Sequence, residues 1–187
     1  MKKFKYKIVK NFLSKDEVEL LKIWMGLTHR NNQKFFCPYV DTADTIFYGI
    51  SITDSLLLKY NNKINKIVNK NLLPTYSASR VYTKFATLKK HKDRESCELS
   101  VTINVGSDGT DWPIYLQNKP ILLKEGDGLI YSGKDIEHWR EEFLGDWYGQ
   151  IFLHYVYENG KFKDFYKDKR PNFGMVIEKG GEVLNEI

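Results

Sequence analysis

From Tyr76 to Tyr157 the chain is cut into short apolar runs of similar length, each bounded by a turn signal. The runs are "SRVYTKFA", "CELSVTINV", "WPIYLQ", "PILLK", "GDGLIYSG" and "YGQIFLHYVY", and the breaks are Gly106-Ser107-Asp108-Gly109, Asn118-Lys119-Pro120 and Glu125-Gly126-Asp127-Gly128. Alternating Val, Ile, Tyr and Leu in runs this short suit a half-buried pleated surface. Six or seven strands at this spacing predict an all-β sandwich or barrel.

Two helices are expected ahead of it. In "LSKDEVELLKIWMGL" Ser14 and Glu17 form an S-x-x-E capping box, in which each side chain satisfies an orphan backbone N–H of the other. Val18, Leu21 and Met25, with Leu20, Trp24 and Leu27 beside them, recur at helical spacing over about 15 to 29. "TDSLLLKYNNKINKIVNKN" carries a second stripe, Leu57, Tyr60, Ile64 and Ile67 or Val68, with Asp54 or Thr53 as its cap; Pro74 ends that region. Phe4 to Val9 alternates as a strand, and Asn31 to Tyr48 reads as a long loop with a short strand. Helices followed by strands define an α+β chain. Its 187 residues fit one domain, 1-187, with a β-core at about 76-157 and helical support at about 10-72.

The bulk numbers narrow the function classes. Hydrophobic residues make up 42%, enough to build a core, so disorder is not expected. A formal net charge of +5 on dispersed lysines is a mild bias toward anions and no argument for nucleic acid. Cys37 and Cys97 make neither a CxxC unit nor a disulfide framework, and read as free thiols of a reducing compartment. "MKKFKYKIVKNF" lacks the apolar stretch of a signal peptide, and no run reaches the ~20 residues of a membrane span. A cytoplasmic protein without membrane contact is expected.

The chemistry concentrates in "LKKHKDRESCELSVTINVG". On a strand, residues i and i+2 share a face, so His91 and Asp93 point the same way with Cα atoms ~6.6 Å apart. His138, beyond the apolar strand of "GDGLIYSGKDIEHWREEF", supplies a third donor. Two histidines and a carboxylate on one face, with the other coordination positions open, form the facial triad of non-haem Fe(II) oxygenases. The other two of the four histidines have plainer readings. His29 sits at the negative end of the first helix, and His154 is a hydrogen-bonded core residue of an apolar strand.

With these residues in place, the chain resembles the 2-oxoglutarate/Fe(II)-dependent dioxygenase superfamily, in its prolyl 4-hydroxylase-like branch and among small bacterial and phage members. The resemblance is carried by "LPTYSASRVYTKFATLKKHKDRESCELSVTINVG", "WPIYL", "GDGLIYSGKDIEHWREEFLGDWYGQIFLHYV" and "DKRPNFG", with "IVKNFLSKDEVELLK" as the strand-then-helix opening. It implies a double-stranded β-helix (jelly roll) with His91, Asp93 and His138 on Fe(II), 2-oxoglutarate as cosubstrate, and O2. It implies hydroxylation of an unactivated C–H bond, prolyl hydroxylation of a peptide or protein included, with release of succinate and CO2. Tyr82 matches the place of a tyrosine that contacts the cosubstrate. Ser100 and Asn104, at i and i+4 on the next strand, share a face that can line the same pocket.

One position departs from the pattern. The superfamily grips the distal carboxylate of 2-oxoglutarate with a Lys or Arg nine or ten residues after the second His, and here Trp147 and Tyr148 stand there. Arg140 is the nearest substitute. If the chain stays extended it shares a face with His138, and a guanidinium grips a carboxylate through two parallel bonds. Pairing of Arg140 with Glu141, Glu142 or Asp146 is the plain alternative, and Arg80 is the next cation. Gln150, polar in an apolar strand, can offer an amide to the pocket.

Arg94 is expected in a surface pair, Cys97 as a buried inert thiol, and Asp127 in a turn. Phe35, Phe36, Pro38, Tyr39, Asp44 and Trp139 are candidate gate residues. The expected partner is a peptide, protein or small-molecule substrate, with the oligomeric state open; nucleic acid is not expected. The alternative to an enzyme is a non-catalytic β-sandwich module binding peptide, sugar or nucleic acid.

Overall fold

The computed structural model describes residues 4–30 and 45–175. In chain order these form β1 (Tyr6–Val9), α1 (Lys15–Arg30), β2 (Thr45–Tyr48), α2 (Ser51–Val68), β3 (Leu72–Thr83), β4 (Leu88–His91), β5 (Leu99–Ser107), β6 (Ile114–Leu116), β7 (Lys119–Ile121), β8 (Gly128–Tyr131), β9 (His138–Arg140) and β10 (Trp147–Tyr157). The strands make two antiparallel sheets, a larger one in the order β1-β8-β5-β10-β3-β2 and a smaller one in the order β4-β9-β6-β7. Of β3 to β10, β3, β5, β8 and β10 lie in the larger sheet and β4, β6, β7 and β9 in the smaller, with β6 and β7 a hairpin, the arrangement of a jelly roll. β1 and β2 extend the edges of the larger sheet, pairing with β8 and β3.

The capping box forms as read. Ser14 N–H donates to Glu17 Oε2 at 2.8 Å, and Glu17 N–H donates to Ser14 Oγ at 3.2 Å. Val18, Leu21 and Met25 are buried, whereas Leu20, Ile23 and Leu27 face outward. The second helix differs from its sequence reading. It begins at Ser51 with Ile50 as N-cap and no side-chain cap. Asp54 is drawn into the interior instead, where Oδ2 accepts from Arg170 Nη1 at 2.8 Å and from the Gly174 N–H, and Oδ1 accepts from Ser77 Oγ. A buried carboxylate is tolerable only with such a full set of donors. Arg170 also donates to the carbonyls of Gly49, Thr75 and Met175, which pins the C-terminal segment across α2 and β3.

The β-region starts at Leu72 rather than near Tyr76, and Pro74 lies inside β3. There β3 is past the reach of β2, and the register with β10 shifts between Leu153 and Tyr155, so the missing N–H is absorbed at a bulge. The two short strands β4 and β9 carry too few residues to show a period.

Alternation on the larger sheet separates two interiors. On β5, Leu99, Val101, Ile103 and Val105 pack with Val18, Leu21, Met25, Leu57, Tyr60 and Ile64 of the helices, and Ile151, Leu153 and Tyr155 of β10 join them. Each such side chain contributes ~1.5–3 kcal/mol on burial. The alternate residues Ser100, Thr102, Asn104, Gln150 and His154 are equally buried but face into the roll. Among the described residues no helix is long and apolar enough to cross a membrane.

Glu17 ties α1 to α2, accepting from Tyr60 Oη at 2.6 Å and Lys59 Nζ at 2.9 Å. Burial alone would raise its carboxyl, but the bonds from Tyr60, Lys59 and Ser14 outweigh it and hold the pKa at about 2. A folded pKa below the unfolded one gives stability that is present above the unfolded value and fades as pH falls toward about 2. Glu17→Gln is therefore expected to lower the unfolding midpoint at neutral pH, with the gap to wild type closing as the pH drops below 4.5. Thermal melts across that range measure it.

Candidate metal centre

β4 and β9 are antiparallel neighbours, and their register sets His91 opposite His138. Each imidazole is tied at Nδ1 to the carbonyl two residues earlier: His91 to Lys89 O at 2.8 Å, and His138 to Ile136 O at 2.9 Å. A carbonyl only accepts, so both Nδ1 atoms carry the hydrogen, and both Nε2 atoms present a lone pair. Asp93 Oδ1 lies 3.5 Å from His91 Nε2 and 3.4 Å from His138 Nε2. Two donors each ~2.1 Å from one ion stand ~3.0 to 3.4 Å apart at right or tetrahedral angles. The three atoms thus match a divalent cation in spacing and chemistry, and His91, Asp93 and His138 form a group of metal-capable side chains.

Asp93 reaches this point by a route that strand periodicity did not anticipate. β4 ends at His91, so Asp93 lies beyond it, held by its N–H to Gly133 O at 3.0 Å. Its Oδ2 accepts from Ser100 Oγ at 2.7 Å, and Ser100 Oγ also meets His154 Nδ1 at 3.0 Å. Burial pushes the Asp93 carboxyl up, but the His138 and His91 imidazoles beside it, once protonated, donate to it and hold it well below the usual carboxylate range. The same contact with Asp93, against the opposing effect of burial, raises His91.

The pocket around the triad is lined by Arg80, Tyr82, Leu88, Tyr131, Phe152 and His154 among others, with Ile46, Tyr48 and Tyr76 also on its wall. Tyr82 is buried edge-on against Trp112 and carries the Arg80 guanidinium 4.1 Å above its ring. Tyr131 Oη donates to His138 Nε2 at 3.3 Å. Of the other expected site residues, Ser100 stands behind Asp93 rather than on the pocket wall. Asn104 turns its amide N–H to Leu123 O, leaving a buried Oδ1 that a carboxylate cannot satisfy.

Arg140 shares the inward face of β9 with His138, both 2% exposed, while Trp139 between them points outward. Its guanidinium lies over Trp112 and Tyr148, at 4.5 and 4.9 Å, and donates to Trp112 O and Gln150 Oε1. Gln150 is linked in turn to Thr102 Oγ1. No described carboxylate lies within ion-pair distance of Arg140, so Glu141, Glu142 and Asp146 are not its partners. Arg140 Nε–H and Tyr148 O–H are buried donors with no hydrogen-bond partner among the described residues. Two orphan donors around one guanidinium are a chemical fit for an anion.

The remaining residues are structural. Arg94 pairs with Asp168 through both nitrogens, at 3.0 and 2.6 Å. Cys97 is buried beside Tyr76 Oη, and burial pushes its thiol up to about 12. Asp127 is a buried turn anchor, bonded to Lys10 Nζ and to the N–H groups of Asn11 and Lys124. Phe35, Phe36, Pro38, Tyr39, Asp44 and Cys37 lie outside the described residues.

Sequence reading passed over Tyr131 and Gly133, taking "GLIYSG" as a strand and turn; no local signal marks either. Tyr131 meets the site only because β8 lies beside β5, and Gly133 because its carbonyl holds Asp93.

No protein-family model matches the chain, and no curated protein matches it in sequence. Solved structures do match in shape. HygX from Streptomyces hygroscopicus, with nickel and 2-oxoglutarate bound, aligns over 81% of this chain and 82% of its own, with a TM-score of 0.64 at 10% identity. A Pseudomonas putida prolyl-4-hydroxylase aligns over 81% and 92%, with a TM-score of 0.62 at 11% identity. A member of the 2OG-Fe(II) oxygenase family from Burkholderia pseudomallei aligns over 81% and 84%, with a TM-score of 0.57 at 12% identity. The chain therefore has the jelly-roll fold of the 2-oxoglutarate oxygenases, in accord with the resemblance read from its sequence.

A Cβ added at Gly133 would stand 2.1 Å from Asp93 Oδ2 and 2.3 Å from Ser100 Oγ. Gly133→Ala is expected to displace the carboxylate and weaken divalent metal binding ~10–100-fold. Mn(II) titration followed by electron paramagnetic resonance measures this, with circular dichroism as the check on folding.

Proposed function

We propose that the protein is an Fe(II)- and 2-oxoglutarate-dependent oxygenase that hydroxylates a C–H bond of a peptide, protein or small molecule. The observation that carries this reading is the convergence of His91 Nε2, His138 Nε2 and Asp93 Oδ1, with both imidazole Nδ1–H groups committed to backbone carbonyls. HygX, of the same fold, binds nickel and 2-oxoglutarate. When bound, Fe(II) with 2-oxoglutarate would supply the oxidation, one atom of O2 going into succinate as 2-oxoglutarate loses CO2 and the other into the C–H bond as a hydroxyl.

The chain's own part is binding and positioning. His91 Nε2, Asp93 Oδ1 and His138 Nε2 would hold the ion. Arg140 takes the far carboxylate of 2-oxoglutarate, because it stands ~7 Å along β9 from His138 on the same inward face. Its unmet Nε–H and the Tyr148 hydroxyl are donors that an anion satisfies. Tyr82 and Tyr131 border the space between. Leu88, Ile114 and Phe152 supply apolar wall that keeps water from the reacting atoms. Arg80, on the pocket wall with Ile46, Tyr48 and Tyr76, is the cation that would meet the substrate. A prolyl residue is one acceptor compatible with this reading, as in the Pseudomonas putida prolyl-4-hydroxylase. A small molecule is another, since HygX has also been solved with hygromycin B bound.

Anaerobic addition of Fe(II) and 2-oxoglutarate is expected to give a weak visible charge-transfer band, abolished by His91→Ala or Asp93→Ala. A wild-type protein without the band refutes the proposal. Arg140→Met is expected to weaken 2-oxoglutarate binding by ~10–100-fold, the loss of charge-assisted hydrogen bonds, while Mn(II) affinity is unaffected. Arg80→Met is expected to leave 2-oxoglutarate binding near wild type. Calorimetric titration of the Mn(II)-loaded variants separates the two arginines.

A further inference from the structure

We infer that His154 is a positioning residue for the metal carboxylate: through Ser100, its Nδ1–H fixes Asp93 so that only Oδ1 faces the two ligand imidazoles. The inference rests on the reading of His91, Asp93 and His138 as metal ligands and assigns His154 a role within it.

The argument is a count of hydrogens. Ser100 Oγ has one, and it stands between Asp93 Oδ2 at 2.7 Å and His154 Nδ1 at 3.0 Å. An ionised carboxylate has none to give, so the serine hydrogen goes to Asp93. The remaining contact is favourable only if His154 Nδ1–H donates to Ser100 Oγ. The reverse arrangement would set serine lone pairs against a charged oxygen. A neutral imidazole carries one N–H, which makes Nε2 the bare nitrogen, on a ring that lines the triad pocket.

The surroundings enforce this direction. The His154 ring lies against Tyr76, centroids 4.4 Å apart, and stacks with Phe152 at an interplanar angle of 5°. The Tyr76 contact hinders its flipping. The ring is buried, which pushes the imidazole down to about 4 and keeps it neutral. Gly133 closes the far side of the Asp93–Ser100 pair, where even a methyl group would collide. Held by Ser100 at Oδ2 and bounded by Gly133, the carboxylate presents Oδ1 to the two imidazoles.

The test uses the full chain and Mn(II). Ser100→Ala and His154→Phe are expected to lose ~10–100-fold in Mn(II) affinity, whereas His154→Asn, whose amide N–H stands where Nδ1–H stood, stays within about threefold of wild type. Thermal melts confirm that each variant is folded. Long-range 1H–15N correlation on the metal-free protein is expected to show His154 as the Nδ1–H tautomer, with its signals assigned by their loss in His154→Phe. A folded His154→Phe protein with wild-type Mn(II) affinity overturns the inference, as does an Nε2–H tautomer. Wild-type protein that binds no Mn(II) refutes the oxygenase reading itself, and this one with it. Binding that is indifferent to His154→Phe refutes this one alone.

Discussion

The pairing of β4 with β9, which sets His91 across from His138, is the constraint on which the candidate site depends. Side chains alternate along a strand, so a slip of one residue would turn one imidazole out of the roll. The Nδ1 bonds to Lys89 O and Ile136 O are equally local, each spanning two residues. Register and tautomer together aim both lone pairs at one point. Asp93 is then delivered from outside the strand by the Gly133 carbonyl and oriented by Ser100.

The larger sheet keeps stability and chemistry apart. One face carries Val101, Ile103, Ile151 and Leu153 against the two helices, a dry apolar core. The other carries Ser100, Thr102, Gln150 and His154, all buried and linked to one another or to Asp93 and Arg140. Burying polar groups is unfavourable unless they find partners. Two of the atoms left without one among the described residues, Arg140 Nε and Tyr148 Oη, lie at a single guanidinium. The apolar layer next to this polar interior provides the stability that such an arrangement consumes.

A good part of this was legible in the residues. The capping box of α1, the stripe of α2 and the alternation in "LSVTINV" are patterns over a few positions, and they fold as they read. His91, Asp93 and His138 stood out because a core rarely places an imidazole and a carboxylate so near an apolar strand. The polar alternates Ser100 and Gln150 also stood out. Their tasks did not, because Ser100 backs Asp93 while Gln150 braces Arg140. Asp54 had the look of a helix cap and became the anchor of Arg170, 116 residues away.

Helix ends, strand alternation and the choice of chemical groups follow from neighbours close in the chain, since capping bonds and side-chain periodicity act over two to four residues. Which atoms meet is another matter. Tyr131, Gly133 and His154 come to the triad from β8, from the turn that follows it and from β10, and nothing near them in the chain marks them. Their proximity arises from the antiparallel packing of β8 against β5 and of β5 against β10. Closure of the roll also decides that Arg140 lies buried beside Tyr148 while Arg80 lies on the pocket wall, a separation that spacing along the chain does not fix.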